Sequence, residues 1–415
     1  MNFLYDNKSA VIENFGRYVS SGKVKFFQQF GFDLVPTKRD GCYLYDMEGK
    51  SYLNCHCNGG VFNLGHRNQK IVTAVKHALA EWDIGNHHLI SAPKAKLGAK
   101  LAELMPGEIN RTVFGVSGGE AIDLAIKLAR GFSRRECIIS ALGGFHGHTG
   151  LALAAGDDQF KAPFGPPAPG FSQVKFGDLD ALEKAISQQT AAVLLETIPA
   201  TLGIVVPPDD YFSGVRELCD KNGVLLIIDE VQTGLGRTGK VWGIEYYNVT
   251  PDIIVTGKGL SGGIYPISAT CYHDKLDSFF QQNPFIHIST YGGSEIGCFA
   301  ALAVLKQSST PSFLKHVTDI AAFYTEQLAL LKDRFAQLLI EIRQKGLMIG
   351  LKFPLEKISM GMCKLLYDNG VFTVYCGNDT TVVQLLPPLI IKKEEAEFTI
   401  EALKKSLEQM LSMME

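Results

Sequence analysis

Leu225-Leu-Ile-Ile-Asp229-Glu-Val-Gln232-Thr-Gly-Leu-Gly-Arg-Thr-Gly239 is the stretch from which the rest of the chain can be read. An uninterrupted apolar run ending in an acid marks a strand buried on both faces that delivers a carboxylate at its end. The next such run, Pro251-Asp-Ile-Ile-Val-Thr-Gly-Lys258-Gly-Leu-Ser-Gly-Gly263, delivers a lysine in the same way. Working outward, the spacing predicts further strands at Thr112–Val116, Cys137–Ala141, Ala192–Leu195 and Ser268–Cys271, with helices at Glu120–Arg130, Leu179–Ser187 and Tyr211–Lys221 between them. Such alternation is the pattern of an α/β domain with a mainly parallel sheet flanked by helices. Ligands of these sheets collect at the carboxyl ends of the strands, where Asp229 and Lys258 stand.

An acid and a lysine delivered by successive strands meet both chemical demands of pyridoxal 5'-phosphate. A carboxylate keeps a pyridine nitrogen protonated, and a lysine holds an aldehyde as an imine. Freed by an incoming amine, the same lysine is placed to move a proton at the substrate carbon. Upstream, Val116-Ser-Gly118-Gly119-Glu joins a strand to a helix, and the free amides and positive helix end there suit a phosphate. Gly143-Gly-Phe145-His146-Gly147-His-Thr149-Gly150 follows the next strand and frames an aromatic ring with glycines, so Phe145 can stack on a flat ligand. His146 stays open between a cofactor neighbour and a structural residue, and His148 reads as structural or solvated.

Outside this region, Gly41–Asp46 and Ser51–Asn54 read as a hairpin turning at Glu48-Gly49-Lys50, expected to pack with the carboxyl-terminal part. Cys55-His56-Cys57 reads as a strand with buried small side chains rather than a metal site, because no second ligand pair stands at zinc spacing. After Ala300 come helices to about Ile342, a strand at Leu347–Phe353, another helix, strands near Val371 and Val382, and a last helix from Glu394. The division that follows is an amino-terminal segment, 1–55, packing with the small domain, a large cofactor-binding domain, 56–305, and a smaller carboxyl-terminal domain, 306–415.

Composition narrows the function classes. Forty basic against 43 acidic residues, a net charge of -3, form no basic patch for nucleic acid or anionic lipid. Partners are therefore expected to be small molecules or other chains. No stretch has the apolar length of a membrane span, the amino terminus lacks the pattern of a signal peptide, and nine scattered cysteines suit a reducing compartment. A cytoplasmic address is the expectation.

With these motifs in order, the chain resembles the class III pyridoxal-phosphate aminotransferases of fold type I, which include ornithine, acetylornithine, 4-aminobutyrate and ω-amine transaminases. The likeness runs from Tyr45-Asp46 and Asn63-Leu-Gly-His-Arg67 to Arg343-Gln-Lys-Gly-Leu-Met-Ile-Gly350 and Leu386-Pro-Pro-Leu389. It implies that Lys258 carries the cofactor, Asp229 pairs with the pyridinium, Gln232 contacts the ring hydroxyl and Phe145 stacks on the ring. It also implies that Gly118 and Gly119 donate to phosphate and that Glu196 lies near the ring hydroxyl or supports the network. Thr290, in Ser289-Thr290-Tyr291-Gly292-Gly293, would reach the phosphate across a homodimer interface.

The chain departs from the pattern at two linked places. Where many glutamate-using relatives carry an arginine before Pro-Pro-Leu and a glutamate that masks it, this chain has Gln384 and Thr201. A neutral amide lacks the bidentate, charge-assisted grip of a guanidinium, and an absent charge needs no mask. The two are therefore substrate candidates, for an amine, an amino sugar or an amino acid held differently. Glu295, where relatives carry Asn-Pro after the glycines, reads as a cap of the following helix. Transamination in two half-reactions is the leading expectation, with a racemase, epimerase or aminomutase as the alternative.

Overall fold

A computed structural model describes residues 7–414. Its centre is a seven-stranded sheet in the spatial order Ile109–Gly115, Ser268–His273, Ile253–Thr256, Leu225–Asp229, Thr190–Glu196, Cys137–Ala141 and Phe171–Val174. Ser268–His273 runs antiparallel to both its neighbours, and the remaining pairings are parallel. The fold is thus the expected mixed α/β type. Each strand expected in this region is present, most lengthened by one to three residues, and Phe171–Val174 is an added edge strand of mixed polarity that the hydrophobic pattern does not disclose.

Thr190–Glu196 and Leu225–Asp229 are buried along their whole length because one apolar layer packs on each face of the sheet. One layer holds Val193, Leu226 and Ile228 against Phe212 and Trp242, and the other holds Leu194, Leu225 and Ile227 against the helix Gly118–Ser133. Strand register then fixes chemistry: Glu196 lies opposite Asp229, and Asp229 opposite Val255, so their side chains leave the sheet at one edge.

The carboxyl-terminal region adds an antiparallel sheet in the order Glu341–Lys345, Met348–Lys352, Val382–Leu385, Val374–Tyr375, covered by the helices Pro311–Arg334, Glu356–Asp368 and Lys393–Met414. The expected helix reached to about Ile342, whereas Glu341–Lys345 is a strand. Its paired register with Lys352–Met348 and its uniform half-burial show that partner strands, not helical periodicity, decide its state. The hairpin forms at Tyr43–Asp46 and Ser51–Asn54, and Val371–Phe372 pairs in parallel with Leu53–Asn54.

Cys55-His56-Cys57 is not a strand. Asn54 Oδ1 accepts from the amides of His56 (3.2 Å) and Cys57 (3.0 Å) and ends the strand there. The chain then turns left-handed through Cys57, Asn58, Gly59 and Gly60, with φ of 52, 51, 65 and 100°. Such a conformation costs a non-glycine residue roughly 1–2 kcal/mol, so the turn is held by its surroundings.

Candidate functional site

Five segments converge where the parallel strands end. After Ile253–Thr256, Lys258 sits at φ 39° at the start of a short 3-10 turn, and its Nζ lies 2.5 Å from Gln232 Oε1. Burial lowers the Lys258 pKa, and Asp229 and Glu196 oppose this without reversing it. The left-handed turn covers the amine: a Cβ on Gly59 would lie 3.3 Å from Lys258 Nζ.

Asp229 accepts on Oδ1 from Val231 N (3.0 Å), and its Oδ2 lies 2.9 Å from His146 Nδ1. His146 is buried. Burial alone would lower its pKa, but the hydrogen bond and charge of Asp229, with Glu196, hold it above the ordinary imidazole value. Its Nε2 has no partner. His146 thus stands beside Asp229 as its hydrogen-bonded neighbour.

Glu196 accepts from the Phe145 amide at 2.9 Å. Burial pushes its pKa up to about 7, the charge of Asp229 adding and His146 opposing. Through this bond Glu196 holds the backbone of the aromatic residue. The Phe145 ring meets His148 and Phe160 edge-on, with centroids 5.1 and 5.8 Å away. His148 is exposed, a packing neighbour rather than a buried polar group.

Gly118 and Gly119 open a helix of 16 residues behind the N-cap Ser117, whose hydroxyl accepts from Glu120 N. First-turn amides have no partner within a helix, so those of the two glycines remain available. A Cβ on Gly119 would lie 2.9 Å from Thr149 Oγ1, and one on Gly118 would lie 3.1 Å from Val231 Cγ1, so side chains here would fill the cradle. The donor set suits pyridoxal phosphate: a half-buried lysine, a carboxylate beside a histidine, an aromatic ring and a glycine-lined anion cradle. Thr290 stands apart from them, exposed on the segment Pro284–Tyr291.

The two substrate candidates lie away from Lys258's immediate neighbours. Gln384 is buried in Val382–Leu385, its carboxamide beside the Cys376 thiol. Thr201 Oγ1 lies 3.5 Å from Gly143 O and 3.4 Å from Asn378 Nδ2. Gly85 comes close to the Glu295 side chain, and Glu295 opens the helix Glu295–Ser308, its amide bonded to Ile84 O.

Several residues were quoted in motifs without a role. Glu230 is fully buried and accepts from Thr197, Thr233, Gly243 and Ile244. Burial nevertheless raises its carboxyl pKa. Arg237, with no solvent exposure, donates to Asn63 Oδ1 and to the carbonyls of Leu347 and Pro387, tying three distant motifs together. His56, its pKa pushed down to about 4 by burial and by Lys258, keeps a neutral imidazole beside the lysine. The only sequence signal for these is a charge within an apolar or glycine-rich run.

A family model described as aminotransferase class-III matches residues 28–407. An uncharacterized aminotransferase of Archaeoglobus fulgidus is 56% identical over 401 residues, covering 97% of this chain and 94% of that protein. A putrescine aminotransferase of Pectobacterium atrosepticum is 36% identical over 377 residues, covering 88% and 81%. Among solved structures, an (S)-enantioselective omega-transaminase from Thermomicrobium roseum superposes with a TM-score of 0.90 at 27% identity, covering 98% of this chain and 100% of that one.

Proposed function

The chain belongs to the class-III aminotransferases, a family that implies pyridoxal phosphate with amine and keto-acid substrates, and from that premise we propose that transamination takes place at Lys258. The observation that carries this is the half-buried, pKa-lowered Lys258 amine held by Gln232 near the strand ends of Glu196 and Asp229.

The cofactor, when bound, supplies an aldehyde to hold the amino group and a protonated ring to draw electrons from the substrate carbon. The chain's residues do the rest. Lys258, deprotonated more readily than an exposed lysine, serves as nucleophile and then moves the proton at the substrate carbon. Gln232 orients the amine and would hold the ring hydroxyl of the bound cofactor. Asp229, oriented by His146, would hold the proton on the ring nitrogen. Phe145, anchored through Glu196, would pack on the ring face, and the amides of Gly118 and Gly119 would receive the phosphate. Neither the family nor its relatives favour racemase or mutase chemistry over transamination.

The donor we favour is a primary amine, with a diamine the first choice. Gln384 offers no charge to a carboxylate, and the nearby guanidinium groups of Arg237 and Arg343 are engaged by Asn63 and by Glu341. The relative named as a putrescine aminotransferase supports a diamine. Visible absorption of the loaded protein tests both readings: conversion of the imine band by diamines but not by glutamate or alanine is expected. A band unmoved by any amine would refute the lysine assignment, and conversion by glutamate alone would refute the donor.

We assign a homodimer with shared sites to the same reading. Leu89, Ile90, Phe285, Ile286, Ile288 and Tyr291 leave an apolar surface around Thr290, and His88 packs on Phe285, joining the two segments. A second copy covering this patch would bring Thr290 to its phosphate cradle. Mass by light scattering tests it, and a monomer would refute it. A cytoplasmic setting belongs to the proposal too, supported by nine unpaired cysteines, eight of them buried. Cell fractionation is its test.

A further inference from the structure

We propose that Asn378 is a positioning residue for the reaction, latching the carboxyl-terminal region onto both flanks of Phe145. The inference rests on the reading of Phe145 as the residue that packs on the cofactor ring.

The Asn378 side chain is fully engaged. Its Nδ2 donates to Gly143 O at 2.5 Å and to Thr201 Oγ1 at 3.4 Å, and its Oδ1 accepts from Gln159 Nε2. Gln159 Nε2 also reaches Gly377 O at 3.3 Å. Gly143 lies two positions before Phe145, and Gln159 directly precedes Phe160, whose ring packs edge-on against Phe145. One carboxamide thus holds the backbone entering the aromatic segment and the neighbour of the ring that supports it.

Backbone bonds reinforce the latch. The amides of Asn378 and Asp379 both donate to Thr201 O, at 2.9 and 3.2 Å. Arg343 Nη1 donates to Gly203 O at 2.8 Å. The turn they grip is tight: Gly143 has φ +74° and a Cβ there would lie 2.5 Å from Leu202 Cδ1, while Gly203 has φ +99° and a Cβ there would lie 2.7 Å from Arg343 Nη1. Next to it, Ile204 holds φ 54°, a left-handed conformation that a β-branched residue adopts only when its surroundings impose it. Ile198, Ala200 and Ile204 supply that by packing against Met348, Cys376, Val382 and Leu386 of the carboxyl-terminal region.

Both substrate candidates fall in this junction. The Thr201 hydroxyl is occupied by Asn378 and Gly143, and Gln384 lies beside Cys376, two residues before Asn378. Both therefore stand where the carboxyl-terminal region meets the turn around Thr201.

The test compares Asn378→Ala and Asn378→Asp with Thr381→Val and Phe145→Ala. Asn378→Asp keeps the shape but turns a carboxylate oxygen toward the Gly143 carbonyl. Thr381→Val removes a hydroxyl bonded to Asp379 in the same loop, with no bond to Gly143. Two quantities are read: amide hydrogen exchange of residues 142–148 in the cofactor-free protein, and the rate of cofactor release from the loaded enzyme followed in the visible band. Both Asn378 variants are expected to exchange about tenfold faster and release the cofactor about tenfold faster, with kcat falling more than KM rises, while Thr381→Val matches the parent. Parent-like exchange in both Asn378 variants, or the same effects in Thr381→Val, would overturn the latch. Parent-like cofactor release in Phe145→Ala would instead overturn the stacking reading, and the exchange measurement would still judge the latch alone.

Discussion

Replacing Glu230 by glutamine asks whether the loop that presents Asp229 and Gln232 is held from beneath by one carboxylate. Oε1 accepts from Thr197 Oγ1 and Ile244 N, each at 2.7 Å, and Oε2 accepts from Thr233 Oγ1 at 2.6 Å and Gly243 N at 3.0 Å. Each oxygen therefore faces one hydroxyl and one backbone N–H. Glutamine keeps one oxygen and must turn its NH2 group toward the other pair. The hydroxyl there can rotate and accept, but the backbone N–H cannot, so one buried donor is orphaned at about 1–3 kcal/mol. The surviving bonds lose charge assistance, roughly another 1 kcal/mol. Burial, which raises the Glu230 pKa, gives part of this back to a neutral side chain, leaving a net loss of about 2 kcal/mol. For a chain of 415 residues, with an unfolding entropy of about 2.1 cal/mol/K per residue, the thermal midpoint should fall by about 2 °C. Because Thr197 follows Glu196 and Thr233 follows Gln232, relaxation reaches the site, and kcat/KM should fall about tenfold. Replicate thermal melts by circular dichroism, with steady-state kinetics on the best amine donor, make the comparison. Thr233→Val, which strands no N–H, should lie between parent and Glu230→Gln. An unchanged or higher midpoint together with unchanged kcat/KM would show that the four bonds do not hold this loop.

Three further outcomes are expected. Lys258→Met should abolish turnover yet raise the stability of the cofactor-free protein at pH 7. The lysine's folded pKa lies below its unfolded value, so its stabilising share is complete only above pH 10.5 and is lost as pH falls through the folded pKa; a higher urea midpoint that converges with the parent at high pH is the check, and a lower one refutes it. Gly59→Ala places a Cβ 3.3 Å from Lys258 Nζ in a turn at φ +65°, so kcat should fall about tenfold, with a stability loss near 1 kcal/mol; parent-like kinetics would show the turn yields freely. Gln384→Arg should raise turnover of α-amino acid donors relative to diamines about tenfold, read as the ratio of kcat/KM values, and no gain would mean that the carboxylate site depends on more than this charge.

The sequence disclosed what is contiguous. Asp229, Lys258, Gly118 and Phe145 each end an apolar run or sit in a glycine frame, and strand geometry carries such residues to one edge of the sheet without further information. It did not disclose what depends on long-range pairing. Glu341–Lys345 carries a sequence compatible with a helix end and becomes a strand because Met348–Lys352 offers it a ladder. Cys57–Gly60 lacks the glycine at every position that a left-handed turn would lead one to expect, and Asn54, accepting from the amides of His56 and Cys57, fixes where the turn begins.

The same distinction separates two kinds of residue within the site. Those that meet the substrate or cofactor are local signals, because a strand end or a helix start must present them. Those that hold the first group still are defined by partners far away in the chain: Arg237 by Asn63 and Pro387, Glu230 by Gly243, Asn378 by Gly143. Their side chains are buried or half-buried and polar, and nothing in their immediate sequence says what satisfies them. Thr201 and Gln384, the substrate candidates of the sequence, stand among such partner-defined residues. Both depart from the pattern of glutamate-using relatives, and both now face the junction between the two parts of the chain.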